Sequence, residues 1–116
     1  MKTVFTALTA SLSAGRAAVL CSITSSSGST PRGPGAKMLV LEDGEPTGTI
    51  GGGAVEYQAV QLARRLLAEK RSDFASYHLS AGETADTGMI CGGDVRVYFQ
   101  FLEPNRPLPV LRAVAE

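Results

Sequence analysis

The stretch Asp94-Val95-Arg96-Val97-Tyr98-Phe99-Gln100-Phe101-Leu102 alternates as far as Phe101. Val95, Val97, Phe99 and Phe101 fall on one side, with Asp94, Arg96, Tyr98 and Gln100 on the other. Because successive side chains of a strand point to opposite faces, this pattern predicts a half-buried strand of an antiparallel sheet. Its partners are found upstream. Residues 17–24, AAVLCSIT, form a β-branched run in which Val19, Cys21 and Ile23 share one side and Leu20 takes the other, the pattern of a buried strand. AKMLVLE (36–42) is strand-like, the turn DGEP (43–46) follows, and Thr47–Ile50 makes a third short strand. DFASYHLS, from Asp73 to Ser80, is a further one.

Two segments carry helical spacing instead. From Ala54 to Lys70, Val55, Ala59, Leu62, Ala63 and Leu66 make one stripe, opposite Gln58, Gln61, Arg65 and Glu69. A shorter helix is expected over residues 3–14, where Phe5, Leu8 and Leu12 recur at three and four residues and Gly15 supplies the stop. The order α-β-β-β-α-β-β predicts an α+β fold: a mixed sheet of about five strands with two helices mainly on one face. Residues 1–103 read as one domain. Residues 104–116 read as a linker or tail, since EPNRPLP (103–109) holds three prolines.

Composition narrows the function classes. A chain of 116 residues, 44% of them hydrophobic, fits one core and buries roughly 65% of its unfolded surface, so it needs neither disulfides nor a structural metal. Eleven Lys and Arg balance eleven Asp and Glu, which argues against a nucleic-acid partner. The two cysteines, Cys21 and Cys91, stand seventy positions apart and match neither a secreted disulfide framework nor a four-ligand zinc site, so a reducing cytoplasm is expected. The opening MKTVFTALTASLSAG is diluted by Thr and Ser below the apolar core of a signal peptide. No apolar run approaches the roughly 18 residues of a membrane span.

The glycines are clustered. Eight of the thirteen fall between Gly28 and Gly53 and four more between Gly82 and Gly93. Glycine permits positive φ and lets a ligand approach bare backbone, so successive N–H groups can form a concave anion site, to which Arg32 and Lys37 add charge. Gly51, Gly52 and Gly53 stand immediately before the longer helix, whose first N–H groups lack internal partners and favour a phosphate. Tight turns around a small core would explain the same glycines, and Arg32 is equally readable as a solvated loop residue. Glu56 reads as a cap on the first helical turn or as a proton-handling group beside a ligand. Known nucleotide fingerprints fail: GSTPRGPGAK lacks the Lys and Ser/Thr pair of a P-loop. A dinucleotide pattern begun by Gly33 and Gly35 meets Met38 at its third glycine position, so no NAD site is expected.

Cys91, followed by Gly92 and Gly93, is the reactive candidate, whereas Cys21 sits in an apolar strand and reads as inert core. A Cys91 thiolate could bind a soft metal or carry transferred sulfur; a purely structural cysteine is the alternative. His78 is the lone histidine, reads as a structural strand residue, and precludes a His-rich cage within one chain. No GxSxG elbow appears, which argues against a serine hydrolase.

The segments GSTPRGPGAKM, GTIGGGAVE and GMICGG, in that order, resemble the signature segments of the XdhC/CoxI family, accessory proteins of molybdenum hydroxylases such as xanthine dehydrogenase. The resemblance runs from about Ala17 to Leu102. It implies a chaperone that transiently binds the molybdenum cofactor (molybdopterin), assists its sulfuration, with a cysteine desulfurase as sulfur source, and delivers it to the apo-hydroxylase. Carried over motif by motif, the cofactor-binding positions would be Arg32, Gly33 and Gly35; Gly51, Gly52, Gly53 and Glu56; and Cys91, Gly92 and Gly93. Cys91 would be the molybdenum contact and the catalytic residue if there is one. Many similar proteins continue into a Rossmann-type domain; here a separate polypeptide, or self-association through Val110 to Val114, would supply that surface. Two other classes stay open: a small thiol-dependent sulfur or phosphoryl transferase using Cys91, and an interaction module with no ligand of its own.

Overall fold

The alternating stretch at 94–102 forms an inner strand of a five-stranded sheet in the computed structural model, which describes residues 2–27, 35–78 and 93–104. The elements are α1 (Lys2–Ser13), β1 (Ala18–Ser27), β2 (Lys37–Val40), β3 (Thr47–Gly48), α2 (Gly53–Glu69), β4 (Asp73–His78) and β5 (Asp94–Leu102). Their order across the sheet is β3-β2-β1-β5-β4. The α+β class, the five strands and the two helices are those expected. The pairing is antiparallel throughout, where a mixed sheet was expected. β5 enters between β1 and β4 and runs against both, a placement that composition and periodicity do not encode.

β1 is the central strand, with Cys21 opposite Met38 of β2 and Phe99 of β5. Its ladder with β5 shifts register between Ile23 and Ser25, and the skipped Thr24 donates its hydroxyl to the Arg96 carbonyl at 3.2 Å. A bulge of this kind bends the strand and increases its twist. Beyond it the strand continues to Ser27, although the stretch SSSGSTPRGPG (25–35), with three glycines and two prolines in eleven residues, reads as irregular in sequence. Pairing with Arg96, Val95 and Asp94 overrides the weak strand preference of serine.

The two faces of the sheet have separate cores. Val19, Cys21, Ile23, Met38, Val40, Val95, Val97 and Phe99 point to one side, where Val55, Ala59, Ala63 and Leu66 of α2 cover them. Ala18, Leu20, Leu39 and Leu102 point to the other side and are covered by Val4 and Leu8 of α1. The helices therefore lie on opposite faces, where the sequence reading put them mainly on one. The cause is β1 itself: apolar at both parities, it needs cover on both sides, and full burial of each Val or Leu contributes about 1.5–3 kcal/mol. The Arg64 guanidinium ties α2 to the β2–β3 turn, its Nε donating to the Leu41 carbonyl at 3.2 Å and Nη2 to Gly44 at 2.6 Å. Among the described residues, no helix is long and apolar enough to cross a membrane.

Candidate functional site

Antiparallel pairing brings the described roots of the three glycine segments to one end of the sheet. β1 ends there at Ser27 and β2 starts there, with Gly35 donating its N–H to the Ile23 carbonyl at 3.0 Å. β3 runs against β2, with Gly48 opposite Met38, and so leaves the sheet at the same end before the run Gly51–Gly53. β4 finishes and β5 begins there too, since His78 and Ser27 are both opposite Asp94, the residue after Gly93. Neighbouring strands are spaced by about 4.8 Å, so the roots of all three segments span roughly 20 Å of one sheet end.

The middle segment can be followed atom by atom. Ile50, 2% exposed, anchors it in the core. Gly51, Gly52 and Gly53 then take φ values of 133°, 76° and 65°, a succession that side-chain-bearing residues rarely adopt. The turn delivers the chain into α2, and one turn later Glu56 reaches back over it. Its Oε1 accepts the Gly52 N–H at 3.0 Å, the Ile50 N–H at 3.3 Å and the hydroxyl of Thr49. Thr49 Oγ1 in turn accepts the Gly51 N–H at 3.0 Å. The chain's own carboxylate thus fills the concavity of the glycine turn. The N–H groups of Gly53, Ala54 and Val55, which begin α2, have no acceptor within the helix and carry its positive dipole end. Beside them opens a cleft of about 350 Å³ between the β2–β3 turn and α2, lined by Pro46, Gly53, Glu56, Tyr57 and Arg64 among others. Tyr57 stands 68% exposed at its edge.

Cys21 is a free thiol with no exposure. Burial, and then the nearby charge of Glu56, push its pKa up to about 12. It is therefore protonated at neutral pH and inert, as expected of a core cysteine. His78, read as a structural strand residue, has an exposed ring whose Nδ1 lies 2.6 Å from Oδ1 of Asp94.

Of the site residues expected from sequence, Gly51, Gly52 and Glu56 are joined through Thr49 in one hydrogen-bonded unit, Gly53 follows as the first residue of α2, and Gly35 and the buried Gly93 lie at the same sheet end. Arg32, Gly33, Cys91 and Gly92 lie outside the described residues. Among the described residues, no group of three or more His, Cys, Asp or Glu side chains is placed to hold a metal ion. Thr49 and the His78–Asp94 pair were missed. A hydroxyl just before a glycine run hints at Thr49, but the pair depends on the β4–β5 register, for which the sequence holds no signal.

The model of the XdhC and CoxI family matches residues 11–78. The uncharacterized protein YqeB of Escherichia coli (strain K12) is 35% identical over 92 residues, which cover 79% of this chain and 17% of that protein. A crystal structure of a xanthine dehydrogenase from Bacillus halodurans superposes with a TM-score of 0.71 at 24% identity, over 96% of this chain and 33% of the other. At that identity the likeness is one of fold. The chain spans less than a fifth of the first relative and a third of the second.

Proposed function

The chain belongs to the XdhC and CoxI family, and from that premise we propose that it is an accessory module of a molybdenum hydroxylase, receiving the molybdenum cofactor and passing it on to the apoenzyme. One observation carries the reading: the three glycine segments that define the resemblance issue from the same end of the sheet. A single ligand with an anionic tail and a metal–sulfur end can touch more than one segment there. In the proposal the guanidinium of Arg32 and the first amides of α2 receive the phosphate, and the Cys91 thiolate meets the soft metal end. Glu56 holds the amides of Ile50 and Gly52, so the phosphate is assigned to the helix start and not to the turn itself. Sulfuration, with a cysteine desulfurase as the source, and cytoplasmic delivery belong to the same proposal.

The test is direct. Purified chain is mixed with free molybdenum cofactor and gel-filtered, and the protein peak is oxidised and assayed for pterin fluorescence. Retained pterin is expected, with Arg32→Ala weakening binding by about 1.5–3 kcal/mol and Cys91→Ser sparing the fold while lowering delivery of active, sulfurated cofactor. A protein peak free of pterin would remove the basis of the proposal.

A second reading, a thiol-dependent sulfur or phosphoryl transferase using Cys91, draws support from the His78–Asp94 pair, since Asp94 follows Cys91 by three residues in the chain. An imidazole oriented by a carboxylate is the kind of group that activates a thiol. This reading expects Cys91 to alkylate much faster than free cysteine at neutral pH and to slow in His78→Gln. An ordinary alkylation rate, unchanged in that variant, decides against it.

A further inference from the structure

The outer edge of β4 is built to receive another strand. Among the described residues, nothing pairs with the side of β4 that faces away from β5. The strand has six residues, DFASYH, without proline, lysine or bulge, the devices that usually blunt an exposed edge. The N–H of Phe74 donates to the Asp73 carboxylate at 2.8 Å, so it points away from β5. By the two-residue period of a strand, the N–H and C=O groups of Ser76 and His78 point outward as well. The other edge strand, β3, is only two residues long and offers no comparable row.

We propose that β4 pairs antiparallel with β4 of a second copy of this chain about a twofold axis at Ser76, joining two sheets into one. A twofold axis perpendicular to the sheet keeps each face continuous, so paired residues must share parity. Centring on Ser76 satisfies this and uses outward-pointing groups: the two Ser76 residues exchange N–H···O=C bonds, and each His78 N–H meets the Phe74 carbonyl across the axis. The side chains complement one another in the same register. Small Ala75 lies opposite large Tyr77 on the α2 face, and Phe74 lies opposite His78 on the other. Phe74 is 48% exposed, yet its ring is already fixed, stacked on Tyr98 at 4.7 Å with the Arg96 guanidinium 4.7 Å above it. Pairing covers this ring at little further cost in side-chain freedom.

The full chain is tested by sedimentation equilibrium over a dilution series and by cross-linking. Concentration-dependent dimer is expected. Ser76→Cys in a Cys91→Ser background should form a disulfide-linked dimer at least tenfold faster than Gln58→Cys, an exposed control on α2, because directly opposed strand residues fall within disulfide reach. Ser76→Pro deletes an outward N–H without touching the β5 ladder and should give folded monomer; Phe74→Lys, which leaves the backbone intact, should do the same. A wild-type chain that is monomeric throughout the series, equal cross-linking of both cysteine variants, or a dimer that appears only after removal of residues 105–116 would each overturn the proposal, the last by assigning the edge to the chain's own tail.

Discussion

At the scale of single residues, Glu56 and Cys21 define what the glycine turn can do. Glu56 accepts from Thr49, Ile50 and Gly52 through one oxygen, so its first role is to hold the turn closed. Glu56→Ala should cost about 2 kcal/mol in urea unfolding, since these groups are only partly buried and water replaces the lost acceptor incompletely; Glu56→Gln, which keeps a carbonyl oxygen, should cost less. The sequence offered both a cap and a proton-handling group at this position, and the contacts within the chain are those of the cap. Cys21 makes a prediction in pH. Its thiol is held at about 12 against an ordinary 9.0, so the folded state keeps a proton that the unfolded chain releases. Stability is unaffected below pH 9 and falls as the pH rises from 9 towards 12, by about 1.4 kcal/mol per unit. Between pH 9 and 10.5 the wild-type protein should lose roughly 1–2 kcal/mol more than Cys21→Ala in urea unfolding, the lysines and the tyrosines other than Tyr77 cancelling in the comparison. Equal losses would mean that the thiol ionises in the folded protein.

At the scale of elements, what was legible in the sequence was what periodicity encodes. Val95, Val97 and Phe99 are buried and Asp94 and Arg96 exposed, as the alternation of 94–102 requires, and the α2 stripe buries Val55, Ala59, Ala63 and Leu66. The same patterns say nothing of pairing. That Asp94 lies opposite His78, and that three loops share one sheet end, follow from strand order and direction, which are settled by contacts distant in sequence. Gly48 shows the limit most clearly. In sequence it is one glycine among many; in the fold its φ is 84°, and a Cβ there would lie 2.6 Å from the Lys37 carbonyl oxygen and 2.7 Å from a methyl of Val4. It is the point where α1 and β2 close on β3. Gly48→Ala should therefore cost about 3 kcal/mol, combining a left-handed conformation with a clash against backbone that cannot yield. Gly44→Ala, at a φ of 82° but with open space around it, should show only the conformational part. Thermal unfolding of the two variants separates the contributions.

At the scale of the whole molecule, the sheet is a partition between two cores, and β1 belongs to both. Leu66, fully buried, sits in the α2 layer, and Leu8, fully buried, sits in the α1 layer on the opposite side. Helices on the two faces of one sheet are separated by about 20 Å, twice the usual layer spacing, so neither side chain can fill a space left by the other. Leu8→Ala and Leu66→Ala should each cost about 2–5 kcal/mol. Because the residues share no packing partner across the sheet, the double variant should lose the sum of the two within about 0.5 kcal/mol, provided that it still folds in one cooperative transition. Milder truncations at neighbouring positions, Val4→Ala with Val55→Ala, give the same test if the double leucine variant is too unstable to measure. A coupling larger than about 0.5 kcal/mol would show that strain passes through β1 from one layer to the other. Such coupling would have a functional reading as well, since β1 also carries the root of the first glycine segment: a change at the α1 face would then be felt at the sheet end from which the three segments issue.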